Sequence, residues 1–221
     1  MMTTPHGVQT PPAEGRLWAW AGAAAGAAGV AGIQASMAIS AAYDPKTVHD
    51  AAKVAAGLGE HTTALVVMHT MMMAATVLLP VFAAGLFRRL RRSLPAGSLL
   101  PAVAASGLLL TSVATLIGTG LDTELLFGFG DEGTLSDEFL TVGAHWVGTI
   151  PWLWVGSGLT GVTVAVAALR HRAVPFWLGL LTAFFGGLTL LTGISPLQYM
   201  AGFPGPVTVL LLGLTLALSR R

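Results

Sequence analysis

The sequence predicts an all-α fold: a polytopic membrane protein built as a six-transmembrane-helix bundle. Three observations predict it. The 221 residues are 54% hydrophobic and 10% charged with a mean hydropathy of +0.74, outside the make-up of soluble domains. Six segments match the roughly 20 apolar residues needed to cross a hydrocarbon core about 30 Å thick. The basic residues also gather at alternate segment ends.

The spans read as Leu17 to Ala42, His61 to Phe87, Ser98 to Leu121, Thr141 to Leu169, Val174 to Ile194, and Gln198 to Ser219. Residues 1–15, rich in Pro and Gly and nearly free of apolar side chains, are expected to form a disordered cytoplasmic tail. Residues 16–221 then form a single six-helix transmembrane domain, because the connections are too short for a soluble one. Arg16 before an Ala-rich stretch also fits a signal peptide, but the apolar run exceeds the roughly 7 to 15 residues of an h-region. An uncleaved first span is the reading taken. Cysteine is absent, which excludes disulfides, thiolate metal ligands and a cysteine nucleophile.

Alternating the spans from an inside start puts nine of the eleven basic residues on one side: Arg16, Arg88, Arg89, Arg91, Arg92, Arg170, Arg172, Arg220 and Arg221. Short-loop Lys/Arg bias sets topology, so this is a multi-pass cell-membrane protein with both termini cytoplasmic. Nine of the ten acids, among them Asp44, Asp131, Glu132, Asp137 and Glu138, fall on the opposite side. No repeat of solenoid length is visible, which gives no support to a duplicated transporter.

Ionisable residues inside spans are costly and are functional candidates by default. In span two, His69 lies about 12 Å below His61 at 1.5 Å per residue. His145 lies about 6 Å from the outer end of span four by the same rise. Glu60, His61, His69, Asp122, Glu124 and His145 are thus expected in the outer third of the bundle. At about 100° per residue, His69, Met73, Thr76 and Pro80 share a stripe of span two, and His61, Met68 and Met72 another. Thr111, Thr115, Gly118 and Asp122 share a stripe of span three. Thr141, His145, Thr149 and Trp152 share a face of span four, flanked by Trp146 and Trp154. These faces are expected to line a cavity with an acidic mouth, a histidine layer and a floor of Trp, Met and Thr, suited to a bulky lipophilic ligand.

Simpler readings stand beside this one. An aromatic belt accounts for Trp18, Trp20, Trp146, Trp177 and Tyr199. Glu60 and His61 fit a helix end in water. Asp131, Glu132, Asp137 and Glu138 fit a solvated loop. The arginines of "RRLRR" fit a topology signal that touches anionic lipid.

Chemically, a carboxylic acid in a low-dielectric pocket can donate a proton to an olefin or epoxide, with Asp122, Glu124 and Glu60 the candidates in that order. Aromatic faces stabilise a developing cation by about 0.5 to 2 kcal/mol each, a role for Trp146, Trp152, Trp154 and Phe127, with Met72 and Met73 as further substrate-binding residues. His69 or His145 would take the terminating proton. The length, the short loops, the Ala/Gly/Arg-rich usage and the membrane acids beside "HWVGTIPWLW" resemble the small integral-membrane terpene cyclases of bacterial meroterpenoid and indole-terpenoid pathways. The resemblance is one of format over nearly the whole chain and carries no residue across. It implies protonation-triggered cyclisation of a linear prenyl chain, without diphosphate cleavage and without an obligatory metal or other cofactor. The partners then expected are a lipophilic prenylated small molecule and the lipid bilayer, with no nucleic acid. Two other classes compete: a redox protein binding haem through His69 and His145 or a transition metal through His61, His69, His145 and Asp122, and a small transporter or accessory membrane protein with an acidic vestibule.

Overall fold

The computed structural model describes residues 15–128 and 135–219, and every regular element among them is helical. The α-helices are α1 (Leu17–Met37), α2 (Ala51–Glu60), α3 (Thr62–Ser93), α4 (Leu100–Gly128), α5 (Asp137–Thr149), α6 (Val155–His171), α7 (Phe176–Gly193) and α8 (Pro204–Leu218). Short 3-10 segments occupy Ala41–Tyr43, Ile150–Trp154 and Gln198–Gly202. The expected tail up to residue 14, Asp131, Glu132, Arg220, Arg221 and the side chain of Trp152 lie outside the described residues.

Four stretches are long and apolar enough to cross a membrane: Thr62–Ser93, Leu100–Gly128, Phe176–Gly193 and Gln198–Leu218. Two of the six expected spans fall short of that measure, each for a physical reason. α1 has the length, at 21 residues, but Ala and Gly fill most of it and dilute its hydropathy. The expected fourth span, Thr141 to Leu169, is not continuous. Pro151 has no backbone N–H to donate, so α5 stops at Thr149, the chain tightens into 3-10 geometry, and α6 is left with 17 residues. Pro204 and Pro206 open α8 rather than interrupt it. They stand in the first turn of α8, where a missing N–H leaves no intrahelical bond unmade.

Rods consecutive in the chain run antiparallel, and α6 and α8 run parallel. α1 packs on α3 and α8, α3 on α4, α4 on α6, and α6 on α7 and α8. α1, α3, α4, α6 and α8 close a ring, and α7 lies outside it: 61% of the α8 span is buried inside the protein against 33% of α7. Val77 and Val81 of α3, Leu110 and Val113 of α4, and Phe184 and Leu191 of α7 stand exposed on the outer faces, an apolar surface suited to lipid rather than water. The ring is filled by side chains such as Trp154, Phe82, Met72 and Leu108, all wholly buried. Trp154 fits because Gly29 of α1 has no side chain where its ring lies and Gly205 of α8 has none against its Cβ.

Residues 43–60 lie between the first two expected spans, and ten of them form α2. Asp50 starts it by accepting a hydrogen bond from the Lys53 N–H, which satisfies one of the unpaired donors of a helix start. α2 is too short to span and instead buries Val54, Ala55 and Leu58 against α5 and Ala41–Tyr43. Antiparallel alternation brings Arg16, Arg88 to Arg92 and Arg170 to Arg172 to one end of the bundle, where the Arg16 guanidinium donates to the Ala217 carbonyl at 2.9 Å. The described acids stand at the other end, with α2 and α5.

Candidate functional site

The α3–α4 contact is polar between Met73–Thr76 of α3 and Ser112–Thr119 of α4. The hydroxyls of Thr76 and Thr115 hydrogen-bond at 2.8 Å, the Ser112 hydroxyl donates to the Thr76 carbonyl at 2.7 Å, and the Thr119 hydroxyl donates to the Met73 sulfur at 3.1 Å. The two stripes expected from the sequence, one ending in His69 and the other in Asp122, therefore face each other. The levels pair 76 with 115 and 73 with 119, and one more turn on each antiparallel helix brings His69 level with Asp122.

Asp122 is 0% exposed. On the α4 wheel, at about 100° per residue, it falls between two sets of neighbours. One set, Ser112, Thr115 and Thr119, faces α3. The other, Gly107, Gly118 and Leu125, faces α5, α6 and the segment between them. Its carboxyl thus points into a three-helix junction, and its side-chain partner there is the indole N–H of Trp146 from α5. This contact is looser than a standard hydrogen bond, and neither carboxyl oxygen accepts a well-formed one. Nδ1 of His69 is likewise buried and unbonded, and no ion pair links His69 or any other base to Asp122 among the described residues. Burying a polar group without its hydrogen bonds costs about 1–3 kcal/mol, so packing alone gives no reason for a carboxyl at this position.

The remaining candidates go elsewhere. His145 is exposed, its ring edge-on to Tyr43 with centroids 5.6 Å apart. Thr149 is exposed beside it, whereas Trp146 is half-buried and Trp154 fully so. The inward face of the expected fourth span is thus that of the flanking tryptophans, because the 3-10 break resets the helical phase and α5 buries Gly143, Ala144 and Val147. Glu124, two residues and about 200° from Asp122, is exposed. Glu60 is exposed at the last residue of α2, and His61 ends that helix with Nδ1 at 2.7 Å from the Gly57 carbonyl oxygen. Phe127 is 79% exposed. Met72 fills the ring interior against Gly32 of α1, while Met73 lies on the polar contact.

The expected layer of ionisable side chains from three helices is therefore reduced to His69 and Asp122, with Trp146 and Met73 around them. Among the described residues, no three His, Asp or Glu side chains come close enough to hold a metal ion. His69 and His145, the pair considered for haem, face different surroundings. Sequence reasoning also missed a groove of about 470 Å³ lined by Ser36, Met37, Tyr43, Gly148, Tyr199 and Phe203. Only the isolated aromatic Tyr43 just beyond span one could have signalled it. Comparison with known proteins gives no matching family model, no matching curated protein and no matching solved structure.

Proposed function

We propose that this chain is a membrane-embedded enzyme that cyclises a linear prenyl chain in a lipophilic substrate by acid initiation, with Asp122 as the acid. In this reading all six rods span the bilayer and both termini are cytoplasmic, following the arginine bias. The single observation that carries the reading is a carboxyl that is wholly buried, unpaired with any base and beside an indole.

In the proposed reaction the Asp122 carboxyl gives its proton to one carbon of a terminal olefin, whose π electrons form the new C–H bond. The adjacent carbon becomes cationic, and the next olefin of the chain attacks it to close a ring. The Trp146 face stabilises that cation by about 0.5 to 2 kcal/mol. A base then removes a proton to restore a double bond. His69 is the group level with Asp122 that can accept it, and proton return from His69 to Asp122 resets the pair. The substrate is isomerised with no oxidant, reductant or leaving group. The exposed apolar faces of α3 and α4 offer a neutral substrate lateral access from lipid.

The test is Asp122→Asn in membranes supplied with linear prenylated phenols or indoles, with products followed by chromatography and NMR because cyclisation preserves mass. Loss of general-acid function lowers turnover by about 10² to 10⁴-fold. Wild-type turnover by the Asn variant would overturn the assignment.

A further inference from the structure

The basic end carries a second feature that this chemistry does not use. α6 ends on Arg172, which holds φ at 52°. Among the described residues it is the one non-glycine with positive φ. The turn closes with the Arg172 N–H on the Ala168 carbonyl and the Ala173 N–H on the Ala167 carbonyl, at 3.0 and 3.1 Å. Glycine is the usual residue in that left-handed position, because a Cβ there is crowded by the following carbonyl. A side chain kept at a strained position is a pointer to what the side chain does.

Arg172 lines a cleft of about 410 Å³ together with Arg89 of α3, Ala173, Val174, Pro175 and Phe176. Two guanidiniums from separate helices share this cleft. Among the described residues neither guanidinium makes a hydrogen bond or an ion pair, whereas Arg88 and Arg92 do have partners. The described acids all stand at the opposite end of the bundle, so no carboxylate from the described chain is there to neutralise the pair. Two cations lining one cleft with no described carboxylate beside them repel each other, and an anion with several acceptor oxygens relieves that repulsion. The planar donor fork of arginine matches phosphate oxygens.

We infer that the Arg89–Arg172 cleft binds a phosphate-bearing group. The cleft is distinct from the Asp122 junction: along α3, Arg89 lies about 30 Å from His69 at 1.5 Å per residue. The same chemistry is offered by an anionic phospholipid headgroup at the membrane surface and by soluble phosphate or diphosphate, and the experiment separates them.

Purified full-length protein in neutral detergent is titrated with short-chain phosphatidylglycerol, short-chain phosphatidylcholine, inorganic phosphate and pyrophosphate, reading binding and thermal shift. An anion-dependent shift that phosphatidylcholine does not give is the expected result. A shift from the lipid alone assigns a headgroup, and one from phosphate or pyrophosphate assigns a soluble ligand. Arg89→Gln and Arg172→Gly should each weaken it about tenfold, the loss of one charge-assisted contact. Arg172→Gly also relieves the left-handed strain, so its melting temperature without ligand should hold or rise, which separates lost binding from lost folding. Arg91→Gln, in the neighbouring cleft where the guanidinium lies over the Phe87 ring, should leave binding within twofold. No shift with any anion, wild-type binding by both cleft variants, or an equal loss in Arg91→Gln would overturn the inference.

Discussion

Along α1 and α8 the helices meet backbone to backbone: a Cβ on Gly26 would run into the main chain of Leu210, and one on Gly213 into that of Ala23. Along α3 and α4 they meet through Thr76, Thr115, Ser112, Thr119 and Met73, with His69 and Asp122 one turn further on. In lipid both solutions hold helices together, the first by close van der Waals approach and the second by interhelical hydrogen bonds. The difference is that the first contains only what packing requires. The second runs on into two polar side chains, His69 and Asp122, with buried atoms that make no well-formed hydrogen bond, which adhesion does not require.

The largest expected effect breaks the symmetry between the two contacts. Asp122→Asn should lower turnover by about 100-fold or more while leaving thermal unfolding in detergent unchanged, since it exchanges one poorly bonded polar group for another of the same size. Gly213→Val should do the reverse. Forcing a branched side chain into the Ala23 backbone costs about 1–3 kcal/mol or more and should lower the unfolding temperature and the folded yield. If Asp122→Asn destabilised the protein as much as Gly213→Val, the α3–α4 contact would be structural along its whole length.

A smaller change sharpens the same contrast. Thr115→Val removes the hydroxyl that meets Thr76 with little change of shape. Interhelical hydrogen bonds in membranes average about 0.6 kcal/mol, so a double-mutant cycle with Thr76→Val should give a coupling of that order. A coupling near zero would show that the Thr76–Thr115 bond adds nothing to the packing of α3 on α4.

Much of this contrast was legible beforehand, and the reasons are specific. Helical periodicity placed His69, Met73 and Thr76 on one stripe and Thr111, Thr115 and Asp122 on another, because α3 and α4 are long and uninterrupted in that region. Periodicity failed for His145 and Trp146 because α5 is short and ends at a 3-10 segment around Pro151, so no phase carried through from α6. It failed for Glu60 and His61 because they end α2, a separate amphipathic helix capped by Asp50. Exposure of Glu124 followed from its 200° offset from Asp122 and needed only the choice of which residue faces inward. The αL turn at Arg172 had no sequence signal at all, since composition favours glycine there.

The smallest effect tests whether the cap at the acidic end folds independently of the bundle. Asp50 accepts from the side chain of Lys53, whose Nζ is 3.0 Å away, and from the Lys53 backbone N–H, and these bonds hold its carboxyl below the usual carboxylate range. A lowered folded-state pKa means that the stabilisation is complete above the unfolded carboxylate range and is lost as pH falls through the lowered value. Hydrogen exchange in α2, corrected for intrinsic rates, should therefore quicken on acidification, with the ring helices unaffected. Asp50→Ala should show the faster exchange at neutral pH, because the cap is gone. Asp50→Asn should keep most of the protection, since Asn caps a helix as well as Asp, but lose its pH dependence. Uniform exchange of α2 across all three proteins would mean that burial of Val54, Ala55 and Leu58 alone holds the helix, and that the acidic end is as cooperative as the glycine contact between α1 and α8.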